Sequence, residues 1–179
     1  MKKNYILTLF FCSSLFITNA QINTPQASPT CEISQSVGVS KISITYSRPG
    51  VKNRVIFGEL VPFDKLWRTG ANETSEITFF KDVKIDAKTV PSGRYTLYTI
   101  PDETTWTIII NKKLNTWGAY AYDSSQDLLR VKVPVEYSDE TLEAFSITIK
   151  GNNDEINRAS DAIKFLINKY LKTNLIEKQ

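Results

Sequence analysis

The chain has no histidine anywhere in its 179 residues. That absence excludes Ser-His-Asp and Cys-His catalysis and every histidine-based metal site. Cysteine is almost as scarce, with only Cys12 and Cys31. The sequence contains no glycine-rich phosphate loop, no EF-hand string and no zinc-ligand spacing. It has no repeats, no low-complexity tract and no run of basic residues. A nucleic-acid binder concentrates such charge on one face, so no nucleic-acid partner is expected. No apolar run reaches the roughly 20 residues that cross a bilayer as a helix. No cofactor is expected.

What is present begins with an export pattern. Met1-Lys2-Lys3-Asn4 is a short positive stretch, an apolar run follows from Tyr5 to Ile17, and Thr18-Asn19-Ala20 ends on a small residue. This is the order of a cleavable secretory signal. Phe10-Phe11 before Cys12 are too bulky for a lipoprotein signal. Cleavage is expected after Ala20, placing the protein in the periplasm or outside the cell. Of the 22 basic and 19 acidic residues, the signal removes Lys2 and Lys3, so the mature charge is 20 minus 19, or +1. Cys12 leaves too. Cys31 is then an odd cysteine, either a free thiol or one bridged to another molecule.

The expected organisation is a signal over 1–20, a polar flexible leader over 21–30 and a β domain over 31–150. A helix over 151–179 then packs on that domain. Period-two alternation marks strands at 41–47, 76–80, 83–85, 94–100, 105–110, 128–133 and 143–150. Turn residues separate them, and all seven glycines fall outside them. Ile156, Ala159, Ile163, Leu166, Ile167 and Tyr170 then recur at helical spacing, predicting a helix over about 155–172. The fold class is mainly β: an antiparallel β-sandwich, jelly-roll-like, with one C-terminal α-helix.

Three irregular stretches interrupt the strands: Tyr46 to Arg54, Leu66 to Glu73 and Asn115 to Asp123. The strings "ITYSRPGVKNRVIFGELVPFDKLWRTGANE", "VPSGRYTLYTIP", "WTIIINK", "WGAYAYD" and "LLRVKV", with Ala27-Ser28-Pro29 upstream, resemble the bacterial family known as domain of unknown function 2911. The likeness runs from about residue 27 to 149. It implies an exported β-sandwich protein and no particular activity. Beyond Phe145 the helical tail departs from the family's further strands.

The loops themselves carry the candidate site. Arg48, Arg54 and Arg68 can converge on a carboxylate or phosphate through bidentate hydrogen bonds, or each can pair with a local acid such as Glu59, Asp64 or Glu73. Trp67, Trp117 and Tyr120, with Tyr122, can form an aromatic platform for a flat ligand or can pack as core. Asn72 and Glu73 can line a cleft. The expected function is a small-molecule or glycan binding module built from Arg48, Arg54, Trp67, Arg68, Asn72, Glu73, Trp117 and Tyr120. One alternative is a carboxylate-dependent hydrolase using Glu73 and Asp123. Another is a structural or interaction protein of the envelope, assembled through Cys31 or the helix.

Overall fold

The computed structural model describes residues 24–37, 39–85, 88–137 and 142–149. The expected signal, its cleavage site and the expected C-terminal helix lie outside these residues. The described chain is mainly β, as the alternation predicts. Strands β1 (Thr30–Val37), β2 (Ser40–Ser47), β3 (Glu76–Phe79), β6 (Gly93–Ile100), β7 (Thr105–Asn111) and β8 (Asp127–Pro134) form one six-stranded antiparallel sheet in that order. Strands β4 (Val83–Ile85) and β5 (Lys88–Val90) form a separate two-stranded sheet between β3 and β6 in the chain.

Side chains alternate across a strand, and the sequence uses that alternation to build one face. Ile42, Ile44 and Tyr46 of β2 are buried, whereas the alternate residues Lys41 and Thr45 are exposed and Ser43 is half-buried. The register aligns such residues: Ile44 opposite Ile77, Trp106 opposite Val133, and Ile110 between Leu97 and Leu129. This face packs into one core with Val83, Ile85 and Val90 of the hairpin, with Val51, Ile56 and Val61 of the β2–β3 connection, and with Phe145 and Ile147. Full burial of each such side chain stabilises by about 1.5–3 kcal/mol.

The centre of the sheet is buried on its other face too. Tyr98 and Ile109 are both 0% exposed. The β7–β8 connection folds back there. Tyr122 sets its ring edge-on to Tyr98 at 5.1 Å, and Asn111 Nδ2 donates to Asp123 O at 2.9 Å and to Asp127 Oδ1 at 2.7 Å.

Two strands escape the alternation pattern. β1 lies at the sheet edge and reads Ser34-Gln35-Ser36 along its exposed length, so its pairing to β2 leaves little apolar trace. β5 is only three residues long. The strand expected over 143–150 is a correction. In the described part of it, Ala144 makes a single bridge to Gly50. Phe145 and Ile147 are buried as their pattern requires. Among the described residues, however, the segment has only the two backbone hydrogen bonds flanking that bridge, Val51 N to Glu143 O at 2.7 Å and Phe145 N to Pro49 O at 2.9 Å, and side-chain contacts rather than a continuous ladder. The leader is also tied at its end, since Arg48 N donates to Pro29 O at 2.9 Å and Asn72 Nδ2 to Ser28 O at 3.2 Å.

Candidate functional site

The candidate site is built where residues 67–75 meet residues 115–118. Trp67 pairs with Thr99 of β6 through two backbone hydrogen bonds of 2.7 and 2.9 Å. The chain then turns through Thr69 (φ 58°), Gly70 (φ 155°) and Asn72 (φ 56°). A β-branched residue at positive φ is uncommon and strained. Thr69 is held there because its Oγ1 donates to Thr99 Oγ1 at 3.1 Å and its carbonyl accepts from Ser75 Oγ at 2.6 Å. Gly70 has no alternative, since a Cβ at that position would stand 3.0 Å from the backbone oxygen of Ser47.

Beyond this turn Glu73 bridges Trp117 in antiparallel fashion. Thr74 N donates to Thr116 O at 3.1 Å, and Gly118 N donates to Asn72 O at 3.2 Å. Directly opposed residues in such a pair point to the same side, and their neighbours point to the other. Glu73 and Trp117 accordingly face outward and are exposed, while Thr74 and Thr116 face inward and are buried.

The inward pair forms a directed relay. Thr74 Oγ1 lies 2.6 Å from Gly118 O, 3.1 Å from Thr116 O and 2.9 Å from Thr116 Oγ1. A hydroxyl has one proton. Thr74 donates it to a carbonyl, so it accepts from Thr116 Oγ1. Thr116 in turn accepts from Tyr98 OH at 3.0 Å. Three buried hydroxyls are thereby satisfied and fix the floor of the site.

Above this floor opens a cleft of about 380 Å³ lined by Thr30, Thr45, Tyr46, Ser47, Glu73, Thr74, Glu76, Asn115, Thr116 and Trp117. Its volume falls in the range of small-ligand sites, roughly 300–1,000 Å³. Glu76 is committed to structure. Its Oε1 accepts from Asn115 N at 3.2 Å, and its Oε2 lies 3.4 Å from Arg94 Nε. Arg94 Nη2 also donates to Asn115 Oδ1 at 3.1 Å. These contacts hold Asn115 at φ 55° and aim the turn that carries Trp117. Glu73, in contrast, makes no ion pair among the described residues. Trp117 is 61% exposed.

Of the residues singled out from sequence, Glu73 and Trp117 reach the cleft together. The arginines do not converge there. Arg48 donates from Nε to Phe145 O at 3.0 Å and from Nη2 to Ser146 Oγ at 2.8 Å. Arg54 donates to Val51 O at 3.0 Å and Gly50 O at 2.6 Å, closing its own loop. Arg68 has a buried Nε that meets no hydrogen-bond acceptor among the described residues. The partners of Arg48 and Arg54 are chiefly carbonyls, which a sequence does not reveal.

Trp67 is a second correction. It is core, 8% exposed, edge-on to Phe57, Trp106 and Phe145, and its indole N–H donates to Gly70 O at 3.1 Å. Asn72 serves the loop rather than the cleft, holding Ser28 and Gly118. Tyr120 is 91% exposed and lies over Gly118, where a Cβ would come within 2.8 Å of its ring. Tyr122 is bound into the β7–β8 connection, where its hydroxyl donates to Asp127 Oδ2 at 2.6 Å and accepts from Arg130 Nη2.

Asp123 is likewise remote from the cleft lining. Its carboxylate caps the 3-10 turn of Ser124–Gln126, and hydrogen bonds from the Ser125 hydroxyl and amide hold it below the usual carboxylate range. Sequence reasoning missed Thr30, Thr45, Glu76 and Asn115. Thr45 and Glu76 are cross-strand partners on the polar face. Alternation gives their facing, but not the 115–118 turn that walls them in.

The family described as protein of unknown function (DUF2911) matches residues 28–163. The chain belongs to the DUF2911 family. No curated protein and no solved structure matches it. The DUF2911 span opens at Ser28, the residue that Asn72 grips, and it contains every residue lining the cleft.

Proposed function

We propose that this DUF2911 protein is an exported binding module for a small hydroxylated ligand of the glycan type, seated in the Glu73–Trp117 cleft. The observation that carries it is Trp117, an indole left 61% exposed at the wall of a cleft whose other lining residues are threonines, Ser47, Tyr46, Asn115 and two glutamates. Large aromatic faces are normally buried for their area, and Trp67 and Trp106 of this chain are, at 8% and 1% exposed. An indole face packs on the apolar face of a sugar ring, and the surrounding hydroxyls and amide suit its polar edge. Strained and over-determined backbone at Thr69, Asn72 and Asn115 presents these groups on a rigid frame.

Tryptophan fluorescence tests this directly. Of the three tryptophans, Trp117 is the one open to acrylamide. Addition of a binding oligosaccharide is expected to protect it, and Trp117→Ala removes both the quenchable signal and the binding. A panel of neutral, amino and acidic oligosaccharides that leaves quenching unchanged overturns the proposal.

The hydrolase alternative finds less support. Asp123 does not line the cleft with Glu73, and its carboxylate is engaged in capping the turn at Ser124–Gln126.

A further inference from the structure

Resting on that reading of the cleft, we infer that the ligand carries a protonated amine: the site is built for an amino sugar rather than for a neutral or acidic one.

The lining contains two carboxylates, Glu73 and Glu76, and no lysine or arginine. Arg94 offsets Glu76 at 3.4 Å, so Glu76 contributes geometry and little net field. Glu73 has no ion-pair partner among the described residues. Its bridge to Trp117 puts that carboxylate beside the indole, on the same side of the backbone pair. A carboxylate and an indole face, adjacent and both open, are the two attractive groups for one ammonium: an ion pair from one side and a cation–π contact from the other. Among the described residues, neither side chain has an ion-pair or side-chain hydrogen-bond partner. Thr74 and Thr116 carry the packing and hydrogen bonding of the same two segments on their inner side. Thr30, Thr45 and Ser47 add hydroxyls to the same lining for the rest of the ring.

The charge sign also excludes classes. An acidic sugar or a phosphate would meet the Glu73 carboxylate with no basic group in the lining to answer it, and like charges at contact repel. Arg48, Arg54 and Arg68, which sequence alone offers as an anion site, do not line this cleft.

The test compares three trimers by calorimetry on the full mature chain: a β-1,4-glucosamine trimer, its N-acetylated counterpart and a galacturonate trimer. The glucosamine trimer is expected to bind at least tenfold more tightly than the acetylated one, with weaker binding at high salt, and the galacturonate trimer not to bind. Glu73→Gln is expected to erase that preference while keeping the fold, and Trp117→Ala to abolish binding. Equal affinity for the glucosamine and acetylated trimers, unaffected by Glu73→Gln, overturns the amine inference and leaves the binding-module reading standing. Preference for galacturonate overturns it as well. Failure of all three trimers to bind overturns both.

Discussion

Glu73 and Trp117 are paired across an antiparallel bridge, so the backbone contact that joins two loops also fixes a carboxylate beside an indole. The same pairing sends the next residues inward, where Thr74 and Thr116 lock the floor. Outer chemistry and inner support thus come from alternate positions of the same short ladder.

The tryptophans of this chain divide by role. Trp67→Ala removes a buried ring that touches Phe57, Trp106 and Phe145, and is expected to cost about 3–5 kcal/mol. Trp117→Ala is expected to change stability by no more than about 0.5 kcal/mol. Urea unfolding of the two variants checks the split, and a large loss from Trp117→Ala would return that ring to the core.

Arg48 is a clasp on a distant segment. Arg48→Met deletes its hydrogen bonds to Phe145 O and Ser146 Oγ, and bonds from a charged donor are worth about 1.5–3 kcal/mol. Lower unfolding free energy with unaltered ligand binding is expected. Loss of binding at unchanged stability would restore the arginine to the site.

The relay under the cleft has its own signature. Thr74→Val keeps the shape but removes the proton that Gly118 O receives and the lone pair that Thr116 uses. A cost of about 1–3 kcal/mol is expected for the groups left unsatisfied, while Thr74→Ser retains most of the stability. Thermal melts of the pair decide it, and a loss from Thr74→Ser with none from Thr74→Val would point to the methyl group instead.

At alkaline pH the phenol of Tyr122 is informative. Burial, and then the Asp127 carboxylate beside it, push its pKa from 10.0 up to about 12. The folded value lies above the unfolded one, so the neutral phenol's contribution to stability is complete below about pH 10. It is lost as pH rises toward 12. Phenolate absorbance should show a late-titrating component that Tyr122→Phe removes. Its disappearance in Tyr98→Phe instead would reassign the group.

Much of the fold was legible because most strands of the main sheet bury one face. Ile42, Ile44 and Tyr46, or Leu129, Val131 and Val133, announce themselves by period two. β1 did not, since an edge strand with Ser34, Gln35 and Ser36 has little to bury. For the site, Glu73 and Trp117 were legible as polar and aromatic residues in irregular chain. The misassignments have one physical cause. Arg48 and Arg54 are satisfied by carbonyl groups, and Trp67 is packed by residues as remote in sequence as Phe145. Neither kind of partner is written in a residue's own neighbourhood.

The hold of Arg48 on residues 145 and 146 spans 97 and 98 positions of chain, and Tyr46 OH accepts from Ile147 N across 101. Contacts between such distant positions form only after a long loop has closed. With no ladder of its own, this segment is expected to be the first part of the domain to peel away. Peeling lifts Phe145 from Trp67, whose ring it meets at 5.2 Å. In urea below the main transition, a second tryptophan should therefore become open to acrylamide while the β circular dichroism is still intact. A single coincident transition would mean instead that this segment and the sheet unfold as one unit.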